Sequence, residues 1–394
     1  MATELEFSIM APNAAGMAPL MEQFFAETGI RVRLRLLSWD TAWSDLIKVA
    51  LYGDGPDVSE IGSTWIGDFV AMEAVRAFDA ESIAALGGVT HFLPAVWRNT
   101  RVIGDDSVWA IPWTVGARMM FYRRSLFARA GVAAKSAFAD AAGFDDALRQ
   151  LQNARVNVPW TVPTGFTHTT FLNLASWVWG AGGDFVTPDG KRTLFAQPQA
   201  LNGVRAYFGL GKYLPVRVRH LNALEPDTQF LNDAETALTM SGPWLFQAAS
   251  ATLLDDLDAA LPPGPSFVGG SYLVAWKHSN HARAAHKLIH FLTRIPAQIQ
   301  YGQTIGLLPV VAAAHEQEPF ASNPLWQTAL RGVQTGRTFP VTRAWGLMED
   351  RLTNALAGLW RDVLNDPSGV DLDAAMARRL DPLAKRLDLV LGQS

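Results

Sequence analysis

The chain reads as an α/β protein of two compact units, and three observations predict it. Its 394 residues exceed what one hydrophobic core ordinarily serves. The N-terminal part alternates strand and helix patterns as β-α-β-α-β, which implies a mostly parallel sheet. Near the middle, Ser107-Val-Trp-Ala-Ile-Pro-Trp-Thr-Val-Gly-Ala-Arg118 opens as a strand, and from Ser125 the pattern turns helical, with Leu126, Phe127 and Ala130 on one face and Gly131 as the stop. Trp109, Ile111 and Trp113 alternate across Pro112, which removes a ladder donor and favours an edge or a crossover. A strand that leaves one unit and feeds the first helix of another marks a hinge, and ligand sites favour such junctions.

Composition narrows the class. Hydrophobic residues at 49% and charged residues at 18% describe a globular protein and exclude a disordered one. A net charge of −4 gives no reason to expect nucleic acid or an anionic membrane as partner. Cys is absent, which removes disulfides, thiol chemistry and Cys-based metal sites. The chain has no run of membrane-spanning length, and Met1-Ala-Thr-Glu-Leu-Glu-Phe7 lacks the basic and apolar regions of a signal peptide, so taken literally it is cytosolic. Fourteen Trp are the oddity: stacking platforms for a ring-shaped ligand, or large aromatics filling cores.

In order, Leu5, Phe7 and Ile9 alternate as a strand, and Met17, Leu20, Met21, Phe24 and Phe25 form the apolar face of a helix closed by Gly29. Ile30, Val32, Leu34 and Leu36 alternate with Arg31, Arg33 and Arg35, a half-buried strand whose basic side is a solvated face. Trp43, Leu46, Ile47, Ala50 and Leu51 give a second helix, and Gly53-Asp-Gly-Pro56 turns into the strand Asp57-Val-Ser-Glu-Ile61. Ligands in such sheets sit beyond the carboxyl ends of the strands, which selects Asn13, Trp39 and Ser63-Thr-Trp65. Helix capping explains Asn13 and Asp40 equally well. Ser63, Thr64 and Trp65 suit a sugar, whose hydroxyls need hydrogen bonds and whose C–H face needs a flat apolar surface.

Beyond the crossover, Phe144, Leu148 and Leu151 predict a helix, Val158-Pro-Trp-Thr-Val162 a short strand, and Leu172, Ala175, Ser176 and Trp179 a helix ending at Gly182-Gly183. His168, Asn173 and Trp177 are candidate ligand groups there, although a lone loop His is more often a surface residue. Asp189-Gly190 marks a hairpin turn, and a helix follows over 200–212. Ala237-Leu-Thr-Met240 reads as a strand entering Ser241-Gly-Pro-Trp244, with Pro243 suited to a first helical turn and Trp244 therefore at a helix N-terminus. Pro262-Pro-Gly-Pro265 precedes a strand over 267–276, the second hinge segment. Ala284, Leu288, Phe291 and Leu292 form the next inward face. His286 and His290 share its opposite face at metal-compatible spacing, but no adjacent Glu completes the zinc-protease motif, so a solvated face is the better reading. From about 320 to 391 the pattern is helical, broken at 336–340 and 365–369, with Arg343 and Trp345 opening one helix.

Several of these segments resemble the carbohydrate-binding proteins of ABC importers, the maltose-binding-protein-like extracellular solute-binding family. They are Ala110-Ile-Pro…Met120-Phe-Tyr-Arg-Arg-Ser-Leu-Phe…Ala130-Gly-Val132, Gly55-Pro-Asp-Val58, Thr236-Ala-Leu-Thr-Met-Ser-Gly-Pro-Trp244, and Gly269-Gly270 leading to Ala284-Ala-His-Lys-Leu-Ile-His-Phe-Leu292 and Gly306-Leu-Leu-Pro309. Each is weak alone, but their order spans nearly the whole chain. The resemblance implies a two-lobed periplasmic-binding-protein fold with a ligand cleft between the lobes, one lobe from 1–112 with 270–315 and the other from 117–265 with 316–394, hinged near 113–117 and 266–270. It implies ligand contacts from the loop at Ser63, an aromatic at Trp244 packing on the sugar ring, and a junction near Arg343 and Trp345 that reaches the cleft. It further implies an extracytoplasmic, monomeric protein that has lost its export signal or lipid-anchored leader, uses no cofactor and hands its sugar to an ABC permease.

The expected ligand-binding set is therefore Asn13, Trp39, Ser63, Thr64, Trp65, Trp113, Gly116, Arg118, His168, Asn173, Trp177, Trp244, Gly270, Ser271, Arg343 and Trp345. No G-x-S-x-G, P-loop, strand-following G-x-G-x-x-G or H-E-x-x-H motif is present. A glycoside hydrolase is the enzymatic alternative and would need two carboxylates about 5–9.5 Å apart, with Asp57, Glu60 and Asp68 as nearby candidates. The same fold with a non-sugar or acidic solute is the other alternative, since Arg118 or Arg343 could fork onto a carboxylate.

Overall fold

The computed structural model describes residues 4–367 and 369–392. Its nine strands are β1 Glu4–Met10, β2 Arg31–Leu37, β3 Val58–Gly62, β4 Ile111–Ala117, β5 Met119–Arg123, β6 Leu238–Ser241, β7 Leu257–Ala260, β8 Val268–Ala275 and β9 Leu308–Pro309. They form a six-stranded sheet ordered β2-β1-β3-β8-β4-β9 and a three-stranded sheet ordered β6-β5-β7.

By contacts the described chain divides into two units: Met1–Val115 with Gly269–Asn323 and Thr338–Gly346, and Gly116–Val268 with Pro324–Arg337 and Leu347–Ser394. The first takes 316–323 and Thr338–Gly346, both of which the resemblance assigns to the second. For Thr338–Gly346 the reason is local. Ile103 N–H donates to Val341 O at 2.9 Å, and Gly67 packs so closely that a Cβ there would lie 2.0 Å from Thr342 O. Because that contact is with backbone, Gly67→Ala is expected to lower stability by about 1–3 kcal/mol, read from the urea midpoint.

In the first unit, β1 pairs in parallel with β2 and β3, as the β-α-β-α-β pattern predicts. The expectation of a mostly parallel sheet fails beyond them: β3 pairs antiparallel with β8, and β4 antiparallel with β9. These strands come from distant chain segments, so no local crossover fixes their direction. β2 is the outermost strand and is less buried than its alternation suggests, with Leu36 40% exposed, while Arg33 and Arg35 pair with Glu6. Pro112 lies in a buried strand, and on its β9 side the pairing involves Thr114 and Val115 and leaves Pro112 out. The helix Ala18–Thr28 ends on Gly29 at φ 68°, the left-handed conformation that glycine adopts without strain. Its Phe24 meets Phe291 of the helix Ala282–Leu292 edge to face at 5.4 Å, part of a core that includes Phe7, Phe69, Trp113 and Trp276.

The second unit is built on β5, flanked antiparallel by β6 and β7. The strand expected over 158–162 is reduced to two bridges, Val158 to Thr236 and Thr161 to Thr239, since Pro159 and Pro163 withhold donors. The helix Arg124–Ala130 follows β5 and ends at Gly131, φ 69°. Helices Thr169–Gly180 and Pro198–Phe208 pack through Gly203, whose Cβ would come within 2.5 Å of Trp177 O. Phe144, Trp160, Trp177, Tyr207 and Trp360 fill the centre.

Candidate functional site

Parallel pairing of β1 with β2 and β3 places the carboxyl ends of all three strands on one edge of the sheet, and aromatic side chains collect beyond it. Trp39 follows β2 and Trp65 follows β3; their rings meet edge to face at 5.7 Å, and Trp43 lies 5.5 Å from Trp65. Trp39 is 47% exposed and Trp65 half-buried. Ser63 is buried and its N–H donates to Gly270 O at 3.0 Å, whereas Thr64 is half-buried. Gly270 runs against β4, where a Cβ would lie 2.0 Å from Thr114 O, and Thr114 and Ser271 join their hydroxyls at 2.7 Å. Next to them Glu60, buried in β3, accepts from Met10 N–H at 2.7 Å and from the Ser271 hydroxyl, while burial pushes its carboxyl up to about 7. Asp57 is occupied structurally: its Oδ2 accepts from Glu6 N–H at 2.9 Å and its Oδ1 from the Ser279 hydroxyl at 2.6 Å.

In the second unit the chain bends at Arg118, between β4 and β5, where the Arg118 N–H donates to Phe267 O at 2.9 Å. The side chain is buried, and its guanidinium lies over the Trp244 ring, 5.2 Å from the centroid. Burial lowers its pKa to about 10, opposed by the negative charge of Asp227, so it stays cationic at neutral pH. Asp227 stands in the first turn of the helix Glu225–Asn232 and is also buried. Its Oδ2 accepts from the Ser241 hydroxyl at 2.7 Å and from the Trp244 indole N–H at 2.9 Å. Burial pushes this carboxyl up, while those two bonds and Arg118 hold it down. Deeper in the unit, Tyr207 neighbours both Arg118 and Asn173. Among the described residues, the Ser176 hydroxyl and the Trp177 indole N–H are buried without a hydrogen-bond partner.

Other expected site residues sit in different surroundings. Trp113, Trp177 and Trp345, second choices for sugar stacking, are 1%, 2% and 1% exposed, with ring faces already used in packing. Trp113 stacks on Tyr301 at 4.6 Å, Trp177 lies between Phe144 and Tyr207, and Trp345 stacks on Phe339 at 4.8 Å. These three rings are core, correcting the expectation of exposed stacking faces. Asn13 is exposed and bonds its own turn, accepting from Ala15 N–H at 2.9 Å. It does not cap the helix, whose first turn follows Met17. The Asp40 side chain lies outside the described residues. His168 is exposed immediately before the helix Thr169–Gly180, Gly116 is buried in β4, and Arg343 is exposed near Asp105. His286 stacks on Phe78 at 5.2 Å and lies 3.2 Å from the Ser82 hydroxyl, so its ring is engaged in packing. Asp227, its partner Ser241, Tyr207 and Trp43 were not foreseen from the sequence. Only the acidic first turn at Glu225 and Asp227 left a signal, and it reads equally as favourable charge at a helix N-terminus.

A family model described as bacterial extracellular solute-binding protein matches residues 19–328. The chain belongs to this family. The diacetylchitobiose binding protein DasA of Streptomyces coelicolor is 22% identical over 348 residues, 84% of this chain and 78% of that protein. An ABC transporter solute binding protein from Thermotoga lettingae, solved bound with α-D-tagatose, aligns with a TM-score of 0.83 at 19% identity, covering 99% of this chain and 100% of that one. UgpB from Mycobacterium tuberculosis, solved in complex with glycerophosphocholine, aligns at 0.80 with 18% identity, over 99% and 100% of the two chains. These likenesses establish the periplasmic-binding-protein fold. The family is one of extracellular binding proteins, and among the described residues no helix is long and apolar enough to cross a membrane.

Proposed function

We propose that this protein is the carbohydrate-binding component of an ABC importer, capturing a mono- to oligosaccharide outside the cytoplasm and handing it unchanged to a membrane permease. The observation that carries the reading is the constellation of Arg118, Asp227 and Trp244: a half-buried indole beside a buried cation and a buried carboxylate. Sugars need such a site, with a flat apolar surface for C–H groups and strong donors and acceptors for hydroxyls. Within the first unit, Ser63, Thr64, Trp65 and Trp39, with Gly270 and Ser271 beside them, are proposed as sugar-binding residues. DasA and the tagatose-bound Thermotoga protein bind carbohydrates, which supports the same solute class here. The chain is proposed to act as a monomer, and its net charge of −4 gives no reason to expect nucleic acid as a partner.

Catalysis is not part of the proposal. A hydrolase would need an acid and a facing carboxylate free to reach the sugar, yet Asp57 is held by Glu6 and Ser279, and Glu60 is buried on Met10. A glycerophosphodiester is the second reading, favoured by the fold shared with UgpB. A thermal-shift screen with mono-, di- and oligosaccharides and glycerophosphocholine tests both, since a ligand at a hundred times its Kd stabilises the native state by about 2.7 kcal/mol. The expected result is a raised melting temperature with a saccharide, recovered intact and stoichiometrically by chromatography. Cleaved sugar would overturn the transport reading.

A further inference from the structure

We infer that a groove between the last two helices of the chain binds a single-chain anionic amphiphile, a long-chain carboxylate. The site is built from other residues than Arg118, Asp227 and Trp244, and the inference does not depend on the carbohydrate reading.

The helices Trp345–Asn365 and Leu372–Leu391 are joined by a short connection and run antiparallel. Arg379, early in the second, donates to both carboxylate oxygens of Asp362, late in the first, each at 2.8 Å. At that end the helices close on each other, and a Cβ on Gly358 would lie 2.3 Å from Arg379 Nη1. Towards the other end, within the second unit, a groove of about 610 Å³ opens between them. One stripe of each helix lines it, with Leu347 and Arg351 on the first and Leu383, Arg386, Leu387 and Val390 on the second. Leu383 and Leu387 are 6% and 3% exposed and make the floor, while Leu347 and Val390 stand 38% and 42% exposed at the open end.

Charge selects the occupant. Four arginines line the groove and, among the described residues, no carboxylate does, although the whole chain carries a net charge of −4. Arg378 and Arg379 share Asp362, so their charge is balanced. Arg386 has no acidic partner among the described residues; its Nε donates to Pro382 O at 3.2 Å. Arg351 meets its chain neighbour Asp350 at 3.8 Å, with both side chains 58% exposed, a contact of little strength. Seven residues from the contact of Gly358 with Arg379, counted in opposite directions along antiparallel helices, bring Arg351 level with Arg386. Two like charges thus stand at one level of a leucine-floored groove. Their planar forks match a carboxylate, and the floor matches an alkyl chain. One molecule that carries both groups completes the site. A helical peptide, about 10–12 Å across, needs a groove open at both ends, and this one ends at Arg379. A flat bilayer surface does not reach the buried floor.

Calorimetry on the full chain tests this with sodium decanoate below its aggregation concentration, compared with hexanoate, decyltrimethylammonium and phosphatidylglycerol vesicles. The expected result is one decanoate per chain, bound at least thirtyfold more tightly than hexanoate, since each buried methylene is worth about fourfold. Decanoate should also bind at least tenfold more tightly than decyltrimethylammonium and weaken at high salt. Arg351→Gln and Arg386→Gln, both at exposed positions, should each weaken decanoate at least fivefold. Leu347→Gln should narrow the gap between decanoate and hexanoate, and circular dichroism verifies that all three variants fold. Equal binding of the cationic amphiphile, or decanoate affinity unchanged in both arginine variants, would overturn the inference. So would vesicle binding without decanoate binding, which would make the face a membrane contact. Decanoate displaced by a saccharide would place it in the site already described and would likewise overturn the inference. Absence of any decanoate binding would remove the inference and leave the carbohydrate reading untouched.

Discussion

Replacing Trp244 by alanine is expected to weaken binding of the best saccharide by about thirtyfold to a hundredfold, with the fold intact. A tryptophan buries of order 150–250 Å², and covering half of that with sugar at about 25 cal/mol per Å² gives roughly 2–3 kcal/mol. The ring is half-buried at the start of the helix Trp244–Gln247, so its removal exposes no core comparable to that around Trp160 or Trp360. Trp244→Phe should fall between wild type and Trp244→Ala, because it retains a stacking surface but withdraws the indole donor from Asp227. Calorimetric titration, with circular dichroism to verify folding, provides the check. Unchanged affinity in a folded Trp244→Ala protein would remove this ring from the site.

Glu60→Gln is expected to raise stability at alkaline pH by up to about 3 kcal/mol and to change it little at pH 4. Burial lifts the folded-state carboxyl from an ordinary 4.5 to about 7, against the opposing bonds from Met10 and Ser271. Between those values the native state binds more protons than the unfolded chain, so stability is fully present below about 4.5. It declines as pH rises towards 7, by about 1.4 kcal/mol for each pH unit crossed, and then levels off. Glutamine removes the ionisation while its amide oxygen can still accept from Met10 N–H and its NH₂ can donate to the Ser271 hydroxyl. Urea denaturation of both proteins at pH 4, 6 and 8 should show stabilities that coincide at pH 4, differ by about 2 kcal/mol at pH 6 and differ most at pH 8. Parallel curves would mean that Glu60 titrates normally.

Much of the architecture was legible because its causes are local. The alternation of Leu5, Phe7 and Ile9, the helical face closed by Gly29, the change of period at Ser125 and the Pro243-Trp244 helix start each depend on neighbours within a turn or a strand. The family could be read from the order of such segments, and the model match over 19–328 agrees. Trp39 and Trp65 follow β2 and β3, and the parallel pairing that the alternating pattern predicts brings the carboxyl ends of these strands to one edge.

The sequence by itself determined periods, caps and the succession of segments, and with them the class of fold. Tertiary structure decided which side chains remain available. Trp113, Trp177 and Trp244 look alike in sequence, each near a strand or helix boundary, but Tyr301 covers the first, Tyr207 and Phe144 enclose the second, and Arg118 lies over the third. Asp227 becomes a candidate only through folding, which brings it to Ser241 and Trp244, 14 and 17 residues away, and near Arg118 from a separate strand boundary. Long-range packing also set β8 antiparallel to β3 and β9 antiparallel to β4, and drew Thr338–Gly346 into the first unit against Gly67. Periodicity along a chain records which face is apolar; it carries no record of which distant segment will cover that face, and that segment decides whether a ring becomes core or binding surface.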